Sequence, residues 1–175
     1  MQSAQISGFR LSPQQKRVWF LHQESSSSSY CVQGAFLIAG HLDIDALKNA
    51  LQAIVNRHEI LRTTFQCLSG MTTPLQVIAE DYEVLINEHS LVDLPLQTQE
   101  ADAAALFHQL TQHPFELAET PPFIIKLLKL SPQKHLLFVR LSALIADELT
   151  LSQLLNEINT LYEADLHAQK YDQEI

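Results

Sequence analysis

An α+β fold, with helices laid on a mixed β-sheet in two layers, is what this sequence predicts, and three observations predict it. Helix signatures and β-rich runs interleave along the chain without an internal repeat, so helices packed on a sheet bury both kinds of apolar face. The 175 residues are 46% hydrophobic, enough to enclose a core in one domain or in one lobe of a larger one. The apolar tract from Pro121 to Ala146 is interrupted by Lys126, Lys129, Lys134 and Arg140, which fits a pair of strands and excludes a membrane span.

Each element has its own signal. Ser12, Pro13 and Gln15 combine an N-cap serine, a proline at the first helical position and a glutamine at capping-box spacing, so a helix starts there and runs to about His22. The serines at 25–29 neither pack nor hold a helix and read as a solvated loop before the β-rich YCVQGAFLIAG. In HLDIDALKNALQAIVNRHEIL, Asp43 caps and Ile44, Leu47, Leu51, Ile54 and Val55 recur at helical spacing. LRTTFQC and TPLQVIA read as two strands about a turn at Gly70, and YEVLINEH as a third. EADAAALFHQLTQH is a helix stopped where His113 precedes Pro114. FIIKLLKL, the turn SPQK and HLLFVRLSALIA form a hairpin with Lys126 and Lys129 at its solvent side or edge. A capping box from Thr150 to Gln153 opens a last helix striped by Leu151, Leu154, Leu155, Ile158, Leu161 and Tyr162. Residues 1–175 form one lobe, and 164–175 are a frayed tail or linker.

Composition removes several function classes. A net charge of −9 with the 11 Lys and Arg scattered singly argues against nucleic acid as a partner. Cys31 and Cys67 lack CxxC spacing and read as small core residues in a reducing compartment, with no disulfide or zinc site. No histidine or acid has metal-ligand spacing. The first residues carry no long apolar run, so a secretory signal is not expected and the location is cytoplasmic. Four glycines and no glycine-rich nucleotide loop leave no room for an ATP-binding module.

Three stretches together resemble the condensation domains of nonribosomal peptide synthetases, relatives of the chloramphenicol acetyltransferase fold. LSPQQKRVWFLHQ is similar to the family's first motif through Ser12, Gln15, Arg17, Val18, Trp19 and Leu21, with Gln14 where the family has Ala. RHEILRTTF, Arg57 to Phe65, matches the second motif, Arg-His-Glu-x-Leu-Arg-Thr-x-Phe, at every specified position. PFELAETPPFIIKLLKL looks like the family's Pro-Phe-(Asp/Glu)-Leu segment and the strand after it. The resemblance covers nearly the whole chain but only the N-terminal lobe of a two-lobed domain. It implies a tunnel between the lobes, entered from opposite ends by donor and acceptor on the phosphopantetheine arms of carrier proteins.

The family's third motif, His-His-x-x-x-Asp-Gly, falls on Ser142, Ala143, Leu144, Ile145, Ala146, Asp147 and Glu148. Both histidines are replaced, and the second, which the family ties to amine attack on the thioester, is Ala143. A methyl group neither takes a proton nor donates to an oxyanion. By resemblance, Asp147 is a structural residue paired with Arg62, and Glu148 replaces a turn glycine. The local alternative is that Asp147 and Glu148 are favourable charges before a helix N-terminus. Of the histidines, His22, His41, His58, His89, His108, His113, His135 and His167, none lies in the motif window, and His58 reads as structural. Trp19 reads as core rather than pocket, and Arg17 and Arg57 as ion-pair or helix-end residues.

The expectation is a condensation-domain lobe without catalytic residues, with a structural or protein-interaction role. Its partners would be a second lobe, carrier or adenylation domains of a synthetase, or a second copy through an exposed lobe interface. No cofactor is bound directly; carrier phosphopantetheine arms would enter only a completed tunnel. The alternatives are the front half of an active amide-forming enzyme completed by a second lobe, and a free-standing interaction module.

Overall fold

Apolar spacing and caps account for most of the elements. The structure, a computed structural model, describes residues 7–24 and 30–173; the expected serine loop at 25–29 lies outside the described residues, as do 1–6 and 174–175. In chain order the elements are β1 (Phe9–Arg10), α1 (Pro13–Glu24), β2 (Cys31–Ala39), α2 (Ile44–Arg57), a 3₁₀ turn over Glu59–Arg62, β3 (Thr63–Gln66) and β4 (Leu75–Ile78). There follow β5 (Asn87–Ser90), α3 (Leu96–Gln112), β6 (Phe123–Ser131), β7 (Lys134–Ser142) and α4 (Glu148–Gln173).

The mixed sheet is four-stranded in the order β2-β7-β6-β5, antiparallel except that β5 runs parallel to β6. LRTTFQC and TPLQVIA do pair, but in a separate antiparallel sheet of order β1-β4-β3, turned by Gly70 at φ 84°. The separation has a packing cause. Phe65 of β3 buries with Leu11, Trp19 and Leu144 in its own cluster, apart from the main core.

Alternation along β6 and β7 sorts the rest. Leu127, Leu137, Val139 and Leu141 meet Leu47, Leu51, Ile54 and Val55 of α2 and Leu151, Leu154 and Ile158 of α4. The intervening Leu128 and Phe138 meet Ala103 of α3, so helices cover both faces of this sheet.

Several boundaries differ from expectation for local reasons. α4 begins at Glu148, because Asp147 and not Thr150 supplies the cap, and it continues to Gln173 through the stretch expected to fray. α3 begins at Leu96, just after Pro95, well before the Ala-rich segment. Of YEVLINEH only Asn87 to His89 pair, in a strand that runs on to Ser90; upstream, the Gln52 side chain takes the ladder's place, donating to the Tyr82 carbonyl at 2.8 Å and accepting from Val84 N–H at 3.0 Å. Lys129 is exposed, but Lys126 is partly buried on the inner strand β6.

Candidate functional site

The turn that leaves β7 and enters α4 holds the third-motif positions, and its hydrogen bonds are largely internal. Ser142 is fully buried: its N–H donates to the Pro122 carbonyl at 3.0 Å, and its Oγ accepts from Leu144 N–H at 3.2 Å. Its carbonyl accepts from Ile145 at 3.0 Å and Ala146 at 3.1 Å. Ala143 is half-buried and ties the turn to the residue just before β2 by donating to the Tyr30 carbonyl at 3.0 Å. Leu144 points into the Trp19 cluster, and its carbonyl accepts from Gln15 Nε2 at 3.1 Å.

Gln15 is the residue whose role local sequence did not reveal in full. Its Oε1 closes the expected capping box on Ser12 N–H at 2.9 Å, while Ser12 Oγ accepts from Gln15 N–H at 3.2 Å. Its amide nitrogen donates both to the Leu144 carbonyl and to Gln76 Oε1, at 2.8 Å for the latter. One side chain thus joins α1, β4 and the motif turn.

Asp147 is exposed and caps α4. Its Oδ1 accepts from the Thr150 hydroxyl at 2.7 Å and from Thr150 N–H at 2.8 Å, and these bonds hold its carboxyl below the usual carboxylate range. The expected Arg62–Asp147 ion pair is not made. Arg62 turns instead to the carbonyls of Ala79 and Glu80 and lies 3.5 Å from Glu59. The physical reason is competition: backbone carbonyls on the neighbouring strand end are fixed acceptors, and the helix N-terminus already satisfies the aspartate. Glu148 is exposed in the first turn of α4, where its charge suits the dipole.

The other candidates settle into structural places. Trp19 is 8% exposed, and its indole N–H donates to the Thr72 carbonyl at 3.2 Å. His58 closes α2, and its Nε2 sits 2.8 Å from Glu157 of α4, which also pairs with Arg57. Burial alone would raise the Glu157 carboxyl, but the hydrogen bonds and charges of His58 and Arg57 pull it below its ordinary value. Arg17 is exposed, and of the two cysteines Cys31 is partly buried while Cys67 is exposed rather than a core residue. His135 is buried under the hairpin end, with its Nδ1 lacking a hydrogen-bond partner. Among the described residues no cluster of His, Cys, Asp and Glu is placed to hold a metal ion, and no helix is long and apolar enough to cross a membrane.

Chemically, the turn offers a sealed hydroxyl at Ser142, a methyl at Ala143 and a carboxylate committed to its own helix. The fold around it is shared with known proteins. The profile described as the condensation domain matches residues 7–174.

The chain belongs to the condensation-domain family. Tyrocidine synthase 3 of Brevibacillus parabrevis is 36% identical over 163 residues, which are 90% of this chain and 2% of that protein. Among solved structures, the starter condensation domain of rhizomide synthetase superposes with a TM-score of 0.81 at 20% identity, covering 92% of this chain and 38% of the other. The complex of the X-domain and OxyB from teicoplanin biosynthesis gives a TM-score of 0.76 at 25% identity, covering 91% and 33%. This condensation-domain chain therefore spans a small part of its curated relative and under two-fifths of the solved domains. It is a condensation-domain-like region of the nonribosomal peptide synthetase kind, with the α+β, chloramphenicol acetyltransferase-like fold the sequence predicts.

Proposed function

We propose that this lobe forms no amide bond and serves as a structural or protein-contacting part of a nonribosomal peptide assembly. The observation that carries the reading is Ala143, which stands at the position tied to amine attack in the resembled motif while the surrounding turn keeps its hydrogen bonds. Loss of a general acid–base group costs about 10²–10⁴ in rate, leaving at most the effect of proximity. On this reading the turn carries no acid–base group, while the Gln15 and Asp147 contacts hold its shape.

An interaction role has a parallel in the fold. The X-domain with which this chain superposes is described in complex with a second protein, OxyB. For this chain the fitting partners are a second condensation lobe and the carrier or adenylation domains of a synthetase. A phosphopantetheine arm would be a carrier's substrate-bearing group; the Ser142 hydroxyl is buried and the Ala143 side chain has no polar atom to receive one. The test is a thioester condensation assay on the polypeptide that carries this lobe, with carrier-bound donor and acceptor. No turnover beyond the modest reach of proximity is expected; robust turnover that vanishes when Asp147 or Glu148 is substituted would favour the front half of an active enzyme instead.

A further inference from the structure

Residues 81–86 lead from β4 towards β5 with the alternation of a strand, yet among the described residues they take no place in either sheet. Tyr82, Val84 and Ile86 are partly buried and packed against the main core, while Asp81, Glu83 and Leu85 between them are exposed. A row of that kind, without a ladder, needs another hold. One face of α2 supplies it.

Lys48, Gln52 and Asn56 recur every four residues along that face. The Gln52 amide does what a neighbouring strand would do: Nε2 donates to the Tyr82 carbonyl at 2.8 Å, and Oε1 accepts from Val84 N–H at 3.0 Å. Asn56 Oδ1 accepts from the same Nε2 at 2.9 Å and so fixes which way the amide points. Lys48 lies 3.4 Å from Glu88 of β5.

Both ends of the stretch are anchored independently of Gln52. Upstream, Ala79 N–H donates to the Arg62 carbonyl at 3.0 Å, and the Arg62 guanidinium donates to the carbonyls of Ala79 and Glu80. Downstream, β5 pairs with β6. Between these anchors the backbone hangs on one side chain, so it opens at lower cost than the ladders on either side. Glu80, Asp81 and Glu83 are exposed like charges in close succession, and their repulsion favours release. We propose that residues 81–86 are a strap latched by Gln52, which lifts off the main core between its anchored ends while α2 and both sheets stay folded. Lifting takes Tyr82, Val84 and Ile86 out of the core together and bares the apolar surface beneath them.

The experiment is native-state hydrogen exchange of the full chain, read by NMR at urea concentrations below the unfolding transition. The Val84 amide is expected to exchange through an opening that depends little on urea, because little surface is exposed. Val139, inside the four-stranded sheet, is expected to exchange only with global unfolding. Gln52→Ala keeps a good helix former in α2 and removes both bonds, so Val84 exchange is expected to quicken about tenfold or more. Ile86→Ala, which touches neither bond, is expected to quicken it too, since Ile86 leaves the core in the same opening. Ala103→Gly, in the core on the α3 side, weakens the whole fold and is expected to quicken Val139 but not Val84. Val84 sharing the urea dependence of Val139, ignoring Gln52→Ala or Ile86→Ala, or following Val139 in Ala103→Gly overturns the strap. None of these rates bears on amide formation, so failure here is separable from failure of the functional reading.

Discussion

Asp147 and Arg62 are each committed to a different neighbour, and this sets what their substitution does. Because Asp147 bonds Thr150 and Arg62 bonds the carbonyls of Ala79 and Glu80, the Arg62→Ala and Asp147→Ala effects on stability are expected to add in a double-mutant cycle. A marked coupling by urea titration would restore the ion pair. His135 sets a pH dependence. Burial first, then Lys129 and His41, hold its imidazole below the usual 6.5, so the unfolded chain takes up its proton more readily than the folded one. Its contribution is whole above pH 6.5 and is lost as pH falls from there through the lower folded value. The urea midpoint is therefore expected to drop between pH 7.5 and 5.5, by less in His135→Phe; an equal drop in both would contradict this. Glu157 acts lower, its share being lost only below its ordinary 4.5. The place of Asp147 before the last helix was legible in the sequence, because an acid just ahead of an apolar-periodic run is a helix-start signal. The partners of Arg62 were not, since no local pattern says which of several acceptors will lie nearest.

Helix ends show where element-scale reading succeeds. The Ser12–Gln15 capping box forms as written, and Ser12→Ala is expected to cost about 1 kcal/mol, measured by denaturant unfolding. The C-terminal end of α3 depends on a residue far away in sequence. Arg140 of β7, 3% exposed, donates to the carbonyls of Leu110, Thr111 and His113 and lies 4.4 Å over the Phe115 ring. Arg140→Leu strips three part-buried carbonyls of their charged donor, so a loss of roughly 1–3 kcal/mol is expected, with faster amide exchange at the end of α3. Exchange unchanged there would show that the guanidinium is not the cap. Sequence marked the end of α3 at Pro114 but not its cap, because such a contact arises only once β7 is packed. Likewise Asp147 outcompeted Thr150 as the cap of α4: both residue types cap well, and the turn at Ser142 decides which stands outside the helix.

At the scale of the molecule, the helices and the hairpin were legible from their apolar periodicity, and the α+β class follows from their order. The division into two sheets was not, because strands of four residues carry little information about which neighbour they will join. What the fold keeps is the main core around α2, α4, β6 and β7, and Leu51→Ala or Leu127→Ala is expected to cost about 2–5 kcal/mol by the same unfolding measurement. On the proposed reading Ala143 stands where the resembled motif has its imidazole, and the absence of amide chemistry is the central claim. The most direct measurement is the rate of amide formation between carrier-bound donor and acceptor, with the polypeptide that carries this lobe compared against the carriers alone. A rate within the modest reach of proximity is expected, with a rise on Ala143→His. A wild-type rate about 10²-fold or more above that background, unchanged by Ala143→His, would contradict it.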